Sequence, residues 1–202
     1  MSKCKVIFAR ALSTPDLLRL LPEAVWQPNS VPIDDLFYLP ISSEINGSVR
    51  ICQSPTRKDL KNTNEFGAAM EEIQHTYPHV EKVIIENSTH LDCLKIKQTC
   101  DIHFDHMQGY FGVSSLEGLS QGKPVVAGLD EWNQQYIKEF TGAWGLPWVV
   151  AETRDELENY FEKLIVDTEL RISTGMESRR FMEEHWAVQQ ILEMLFEFYG
   201  DM

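Results

Sequence analysis

Cys100-Asp-Ile-His-Phe-Asp-His-Met-Gln-Gly-Tyr-Phe-Gly-Val-Ser-Ser-Leu-Glu-Gly-Leu-Ser-Gln-Gly-Lys-Pro-Val-Val-Ala127 changes its apolar period twice. Ile102 and Phe104 alternate with polar neighbours and stop at Asp105, the pattern of a short strand. Gly109 and Gly112 bracket Tyr110 and Phe111, where glycine permits tight turns and close approach of a ligand. From Gly112 onward the apolar positions are Val113, Leu116 and Leu119, a helical spacing. Gly122 suits a left-handed helix cap, and Pro124–Ala127 opens the next strand. A helix that starts at a glycine loop presents unpaired N–H groups and a partial positive charge. The amides of Gly112, Val113 and Ser114 are therefore candidate phosphate donors. Glu117 follows about one turn later, placed to accept hydrogen bonds from the paired hydroxyls of a ribose. Phosphate donors beside a ribose acceptor describe a nucleotide site.

Working outward, strands expected near residues 49, 83, 102, 125 and 148 alternate with helices. This predicts an α/β fold with a parallel sheet covered on both faces. Val49–Gln53 is its first strand, and Lys82–Ile85 reads as a buried strand. Asn62 with Glu65 has capping-box spacing ahead of an apolar face at Phe66, Ala69, Met70 and Ile73. Thr89 or Ser88 starts the next helix. Trp132–Phe140 reads as a helix, Pro147–Val150 as a strand, and Thr153–Val166 as an amphipathic helix. A long terminal helix is expected over Arg179–Tyr199, broken near Trp186. At the other end Lys5–Ala9 reads as a strand, Thr14 as the cap of a short helix through Leu21, Ala24–Pro28 as a strand, and Ile33–Gly47 as a linker.

Several of these segments resemble one family. Asp101-Ile with the run from Gly109 to Val125 is similar to the donor-site segment of group 1 glycosyltransferases of the GT-B fold. Ser54-Pro-Thr-Arg-Lys-Asp-Leu-Lys61 resembles the family's turn whose Arg and Lys clamp the donor diphosphate. Asp16–Val31, with Trp26-Gln-Pro-Asn29, resembles the end of the family's N-terminal domain, and His185-Trp186 its C-terminal tail. The resemblance runs from about residue 14 to 199. It implies a Rossmann-like C-terminal donor domain over 47–168, a remnant of the N-terminal domain and linker over 1–46, and a helical tail over 169–202. It further implies that Arg57 and Lys61 hold the diphosphate and act as catalytic groups with Glu117. Asn87 and Ser88 would lie beside the base. Gly109, Tyr110, Phe111, Gly112, Val113 and Ser114 would surround the nucleotide. A nucleotide sugar is the expected substrate, its sugar transferred with retention and without a metal or other cofactor.

Three residues depart from the family pattern. Gly118 stands for alanine, Asn62 for glycine with Lys58 as a neighbouring cation, and Gly109 for a glutamate that contacts the transferred sugar. With only the last piece of an acceptor domain expected upstream, three readings stand: the donor domain of a transferase, truncated or naturally minimal, a catalytically inactive nucleotide-binding or interaction protein, and one half of a split enzyme. A second polypeptide or a second copy would cover the face of the missing domain.

Composition narrows the field. The 202 residues carry a net charge of −13, which disfavours broad contact with nucleic acid or an anionic membrane surface. Cys4, Cys52, Cys93 and Cys100 form no C-x-x-C pair and read as reduced thiols. No segment reads as transmembrane or as a signal peptide, so the expected compartment is cytoplasmic. His103 and His106 sit at a strand end, where local hydrogen bonding outweighs zinc. Asp101 and Asp105 lie about 13 Å apart along a strand at roughly 3.3 Å per residue, too far for an acid/base pair. Ser114 and Ser115 lack the Gly-x-Ser-x-Gly context of a nucleophilic hydrolase.

Overall fold

The computed structural model describes residues 11, 12, 15–22, 24–41 and 47–200. The strand expected over Lys5–Ala9 and the cap expected at Thr14 lie outside these residues. The described chain opens with a small parallel pair, β1 (Ala11–Leu12) and β2 (Val25–Trp26), spanned by a 3-10 turn at Pro15–Arg19. A five-stranded parallel sheet follows: β3 (Val49–Gln53), β4 (Val80–Ile84), β5 (Ile102–Phe104), β6 (Val125–Ala127) and β7 (Val149–Val150). Its spatial order is β4-β3-β5-β6-β7. The order reverses between β3 and β5, so the crevice beyond the carboxyl ends of these strands is the natural ligand position of such a sheet.

Burial explains the layout. Every residue of β5 and β6 is buried, as two-sided coverage by helices demands. One face packs α1 (Thr63–Thr76) and α5 (Arg154–Val166) around Phe66, Met70, Phe104, Leu157 and Phe161. The other face gathers Leu116, Leu119, Ile137, Trp148, Phe181 and Trp186. The expectation of a buried Lys82–Ile85 is corrected: β4 is the sheet's edge, with Glu81 and Lys82 exposed and Val83 and Ile84 half-buried. An apolar run reads alike at the edge and the centre of a sheet, because only the neighbouring strands distinguish them.

Residues before β3 are built into the second face. Leu18, Trp26, Val31, Ile33 and Tyr38 belong to the same cluster as Trp186. The Trp26 ring lies 4.5 Å from Phe140 and 5.9 Å from Trp186. The Trp186 indole N–H donates to the Asn29 carbonyl at 3.0 Å. One guanidinium nitrogen of Arg179 donates to the carbonyls of Ile33, Tyr38 and Ser120. The C-terminal helices are α6 (Thr168–His185) and α7 (Val188–Gly200), and the break falls at the fully buried Trp186. The expected start at Arg179 is too late: Asp167 caps α6 by accepting from the Leu170 amide at 2.8 Å.

His103 on β5 explains one departure from the family pattern. A Cβ on Gly118 would come closer than 3.0 Å to both the His103 ring and the Val125 side chain. Burial, followed by the charges of Lys97 and Lys123, pushes the His103 imidazole down to about 3. The unfolded chain therefore takes up a proton near pH 6.5 that the native chain refuses, so stability is full above that pH and is lost as pH falls. Between pH 7 and pH 5 the unfolding free energy should drop by about 2 kcal/mol. Burial moves His106 in the same direction. Urea titrations at the two pH values check this, and equal midpoints would refute it.

Candidate nucleotide site

A cleft of about 730 Å³ opens at the carboxyl ends of β3 and β4. Ser54, Pro55, Thr56 and Lys58 form one wall, Ile85 to Ser88 with His90 and Cys93 another, and Val113, Ser114 and Glu117 the floor. The floor belongs to α3 (Val113–Ser120), which Gly112 precedes with no side-chain cap. The second wall runs into α2 (His90–Gln98), capped by Thr89, whose hydroxyl accepts from the Asp92 amide at 3.2 Å.

Glu117 is the best-defined group in this cleft. It is 6% exposed. One carboxylate oxygen meets the Lys97 ammonium at 2.5 Å, and the other meets the His90 ring nitrogen at 2.8 Å. Lys97 also donates to the Ser114 hydroxyl at 2.7 Å, which lies 3.0 Å from the Ser54 hydroxyl across the cleft. Val113 is exposed at the first turn of α3, where helix geometry leaves the amides of Val113 and Ser114 without intrahelical acceptors. Asn87 and Ser88 are exposed on the wall, Asn87 in the left-handed conformation with φ 52°. The structure thus brings together Asn87, Ser88, Val113, Ser114 and Glu117.

The other expected residues lie elsewhere. Arg57 is not among the cleft residues; its guanidinium forks onto Asp59, two residues along and equally exposed. Lys58 takes the place on the wall and pairs with Glu86 at 2.7 Å. Lys61 points to the start of α3, but Asp105 binds it at 2.9 Å. Asp105 also accepts from the Gly112 amide at 2.6 Å and the Ser115 hydroxyl at 2.8 Å. Burial opposes the Asp105 charge, yet His106, Lys61 and the Gly112 amide pull its carboxyl down to about 2. Burial also drives His106 toward its neutral form, and the Lys61 ammonium is the nearer partner of the carboxylate, at 2.9 Å against 3.7 Å for the His106 ring nitrogen. Of the three expected phosphate donors, the Gly112 amide is therefore committed to a buried carboxylate.

The loop before α3 is corrected too. Phe111 is buried, 5.1 Å from Trp148 and 6.0 Å from Trp186, so its ring is core rather than ligand contact. Tyr110 packs its ring edge-on at 4.7 Å from His106. Gly109, at φ 86°, pairs with Leu129 and accepts from the Asp130 amide. A side chain there would meet the Asp130 carboxylate 3.2 Å from its Cβ. Asp130 in turn is ion-paired with Arg19. The Asn62 side chain makes no capping bond; its Oδ1 accepts from the Met107 amide at 2.9 Å and the Gln108 side chain at 3.0 Å. Its backbone is left-handed at φ 52°, the conformation that favours glycine and that asparagine tolerates best among the rest. That is why asparagine serves where the family has glycine.

Sequence reasoning passed over Lys97 and His90 as members of this site. A lysine and a histidine on a helix two elements away carry no local signal, whereas Asp105, at the carboxyl end of its strand, was placed to face the cleft. Among the described residues no group of three His, Cys, Asp or Glu side chains is placed to hold a metal ion. Cys52, Cys93 and Cys100 are free thiols.

The fold is that of the GT-B glycosyltransferases. TarM from S. aureus, in complex with fondaparinux, α-GlcNAc-glycerol and UDP, aligns with a TM-score of 0.70 at 14% identity, over 93% of this chain and 42% of its own. Sucrose-phosphate synthase from Thermosynechococcus elongatus aligns with a TM-score of 0.68 at 14% identity, over 95% and 57%. Within that fold the chain corresponds to the C-terminal domain. The isolated C-terminal domain of the group 1 glycosyl transferase LpcC from Francisella tularensis is covered over its whole length, with 79% of this chain, a TM-score of 0.59 and 16% identity. The chain spans about half the length of the first two. No family model and no curated sequence matches it. Among the described residues no helix is long and apolar enough to cross a membrane.

Proposed function

We propose that this chain binds the nucleoside diphosphate part of a nucleotide sugar in the cleft above α3. The carrying observation is Glu117: a nearly buried carboxylate, fixed from below and opening onto a cleft at the carboxyl ends of a parallel sheet. The ribose hydroxyls would rest on Glu117 and the base beside Asn87 and Ser88. The phosphates would lie against Lys58, the hydroxyls of Ser54 and Ser114, and the amides of Val113 and Ser114. In the transferase reading, the sugar is transferred with retention, without a metal, in the cytoplasm. UDP complexes of proteins with this fold support the donor class.

A second reading has its own support. Arg57 and Lys61 would have to leave Asp59 and Asp105 before clamping a diphosphate. A protein that binds a nucleotide or partner without turnover, or half of a split enzyme, fits that arrangement. Calorimetric titration with ADP, GDP and UDP tests the shared core of both. At least one should bind, and Glu117→Gln should weaken it about 30-fold, the equivalent of roughly 2 kcal/mol for charge-assisted hydrogen bonds. Absence of binding by all three overturns the nucleotide reading. Sugar release from UDP-sugars by the chain alone would eliminate the inactive reading.

A further inference from the structure

Lys97 lies on α2, is 1% exposed, and is not among the residues lining the cleft. Its ammonium nevertheless directs its bonds at the floor: to Glu117 at 2.5 Å, the Ser114 hydroxyl at 2.7 Å and the Ser114 carbonyl at 3.3 Å. Burial alone would push this ammonium down; the Glu117 charge more than reverses that and holds it above the usual lysine range.

An exposed ion pair contributes little and has no bearing on function. This pair differs in three respects. A carboxylate beneath a diphosphate would repel it, and at short range with little solvent that repulsion is large. A buried cation bonded to the same carboxylate cancels it without entering the cleft. The same ammonium fixes the first turn of α3 through Ser114, whose hydroxyl reaches Ser54 on the opposite wall. His90 approaches the other oxygen of Glu117 from the solvent side, its own side chain 66% exposed. The carboxylate thus has one permanent partner below and one displaceable partner above, where ligand hydroxyls would arrive.

We infer that Lys97 is a positioning residue for nucleotide binding, neutralising Glu117 so that an anionic diphosphate can settle above a carboxylate that still accepts from the ribose; this rests on the nucleotide reading above. The role is electrostatic, so it predicts an order across a charge series. Inorganic pyrophosphate, which has no ribose, is the first probe. Its affinity should rise about fivefold in Glu117→Gln, fall at least tenfold in Lys97→Met, and return to within about threefold of wild type in the double variant. The nucleoside diphosphate that wild type binds best is the second probe, and it should stay weak in the double variant, because glutamine lacks the charged pair of oxygens that accepts from both ribose hydroxyls.

Lys97→Met strands a buried carboxylate and Glu117→Gln a buried ammonium, so circular dichroism accompanies each titration. Should Lys97→Met unfold, Glu117→Gln against the double variant carries the same test. Pyrophosphate should bind about fivefold tighter with Lys97 present. Equal affinities would overturn the Lys97 assignment while leaving the nucleotide reading intact. A wild-type chain that binds no nucleoside diphosphate would overturn both. A merely structural ion pair would lower stability in the single variants without producing this charge order.

Discussion

Replacing Asp105 with asparagine will make the chain less stable and, at the same time, a better anion binder. Asp105 holds the Lys61 ammonium, the Gly112 amide and the Ser115 hydroxyl, all within 2.9 Å. Its native carboxyl lies near 2 rather than 3.8. That difference corresponds to about 2 kcal/mol of stabilisation of the charged form, present above the ordinary carboxylate range and lost only as pH falls toward 2. Asparagine can still accept from Gly112 but cannot pair with Lys61. The unfolding free energy at pH 7 should therefore drop by about 2 kcal/mol, read from urea midpoints. Lys61, whose side chain is 18% exposed, is then free to meet a phosphate, and pyrophosphate affinity should rise about tenfold. Unchanged affinity in a destabilised variant would show that the Lys61–Asp105 pair does not compete with a bound anion.

Gly175→Ala should be the most damaging of the glycine substitutions on α6 and α1. A Cβ on Gly175 would fall closer than 3.0 Å to the backbone oxygen of Gly122, an atom that cannot rotate away. Here α6 crosses the turn between α3 and β6, and that crossing holds Arg179 against the carbonyls of Ile33, Tyr38 and Ser120. The expected loss is about 3 kcal/mol, in the upper range for overpacking. Gly67 in the middle of α1 is the control, because nothing lies within 4 Å of its would-be Cβ. Gly67→Ala should gain about 0.5–1 kcal/mol from helix propensity alone. Thermal melts of the two variants should shift in opposite directions. A Gly175→Ala protein melting with wild type would mean that α6 does not need its close approach.

The elements near the cleft were legible wherever a local pattern spoke. Ile102 and Phe104, then Val113, Leu116 and Leu119, announced β5 and α3 because a strand repeats every two residues and a helix every 3.6. Glu117 followed from the same count. Phe111 went the other way. A glycine-flanked aromatic reads as a ligand contact, whereas its burial depends on Trp148 and Trp186, remote in sequence. Arg57 and Lys61 were recognisable as cations, but that Asp105 would take Lys61 was not, because that pairing is decided across elements; Arg57 turned instead to Asp59, two residues along.

From residue types and spacing alone came the parallel α/β architecture, the glycine-led helix and the carboxylate one turn inside it. These are consequences of backbone geometry and period, which act over a few residues. Only tertiary packing decided that Lys97 supports Glu117 from beneath, that Asp105 holds the Gly112 amide, and that Leu18, Trp26, Val31, Ile33 and Tyr38 complete one face of the core. Charge pairing and burial depend on what arrives from distant parts of the chain, and no local pattern records it.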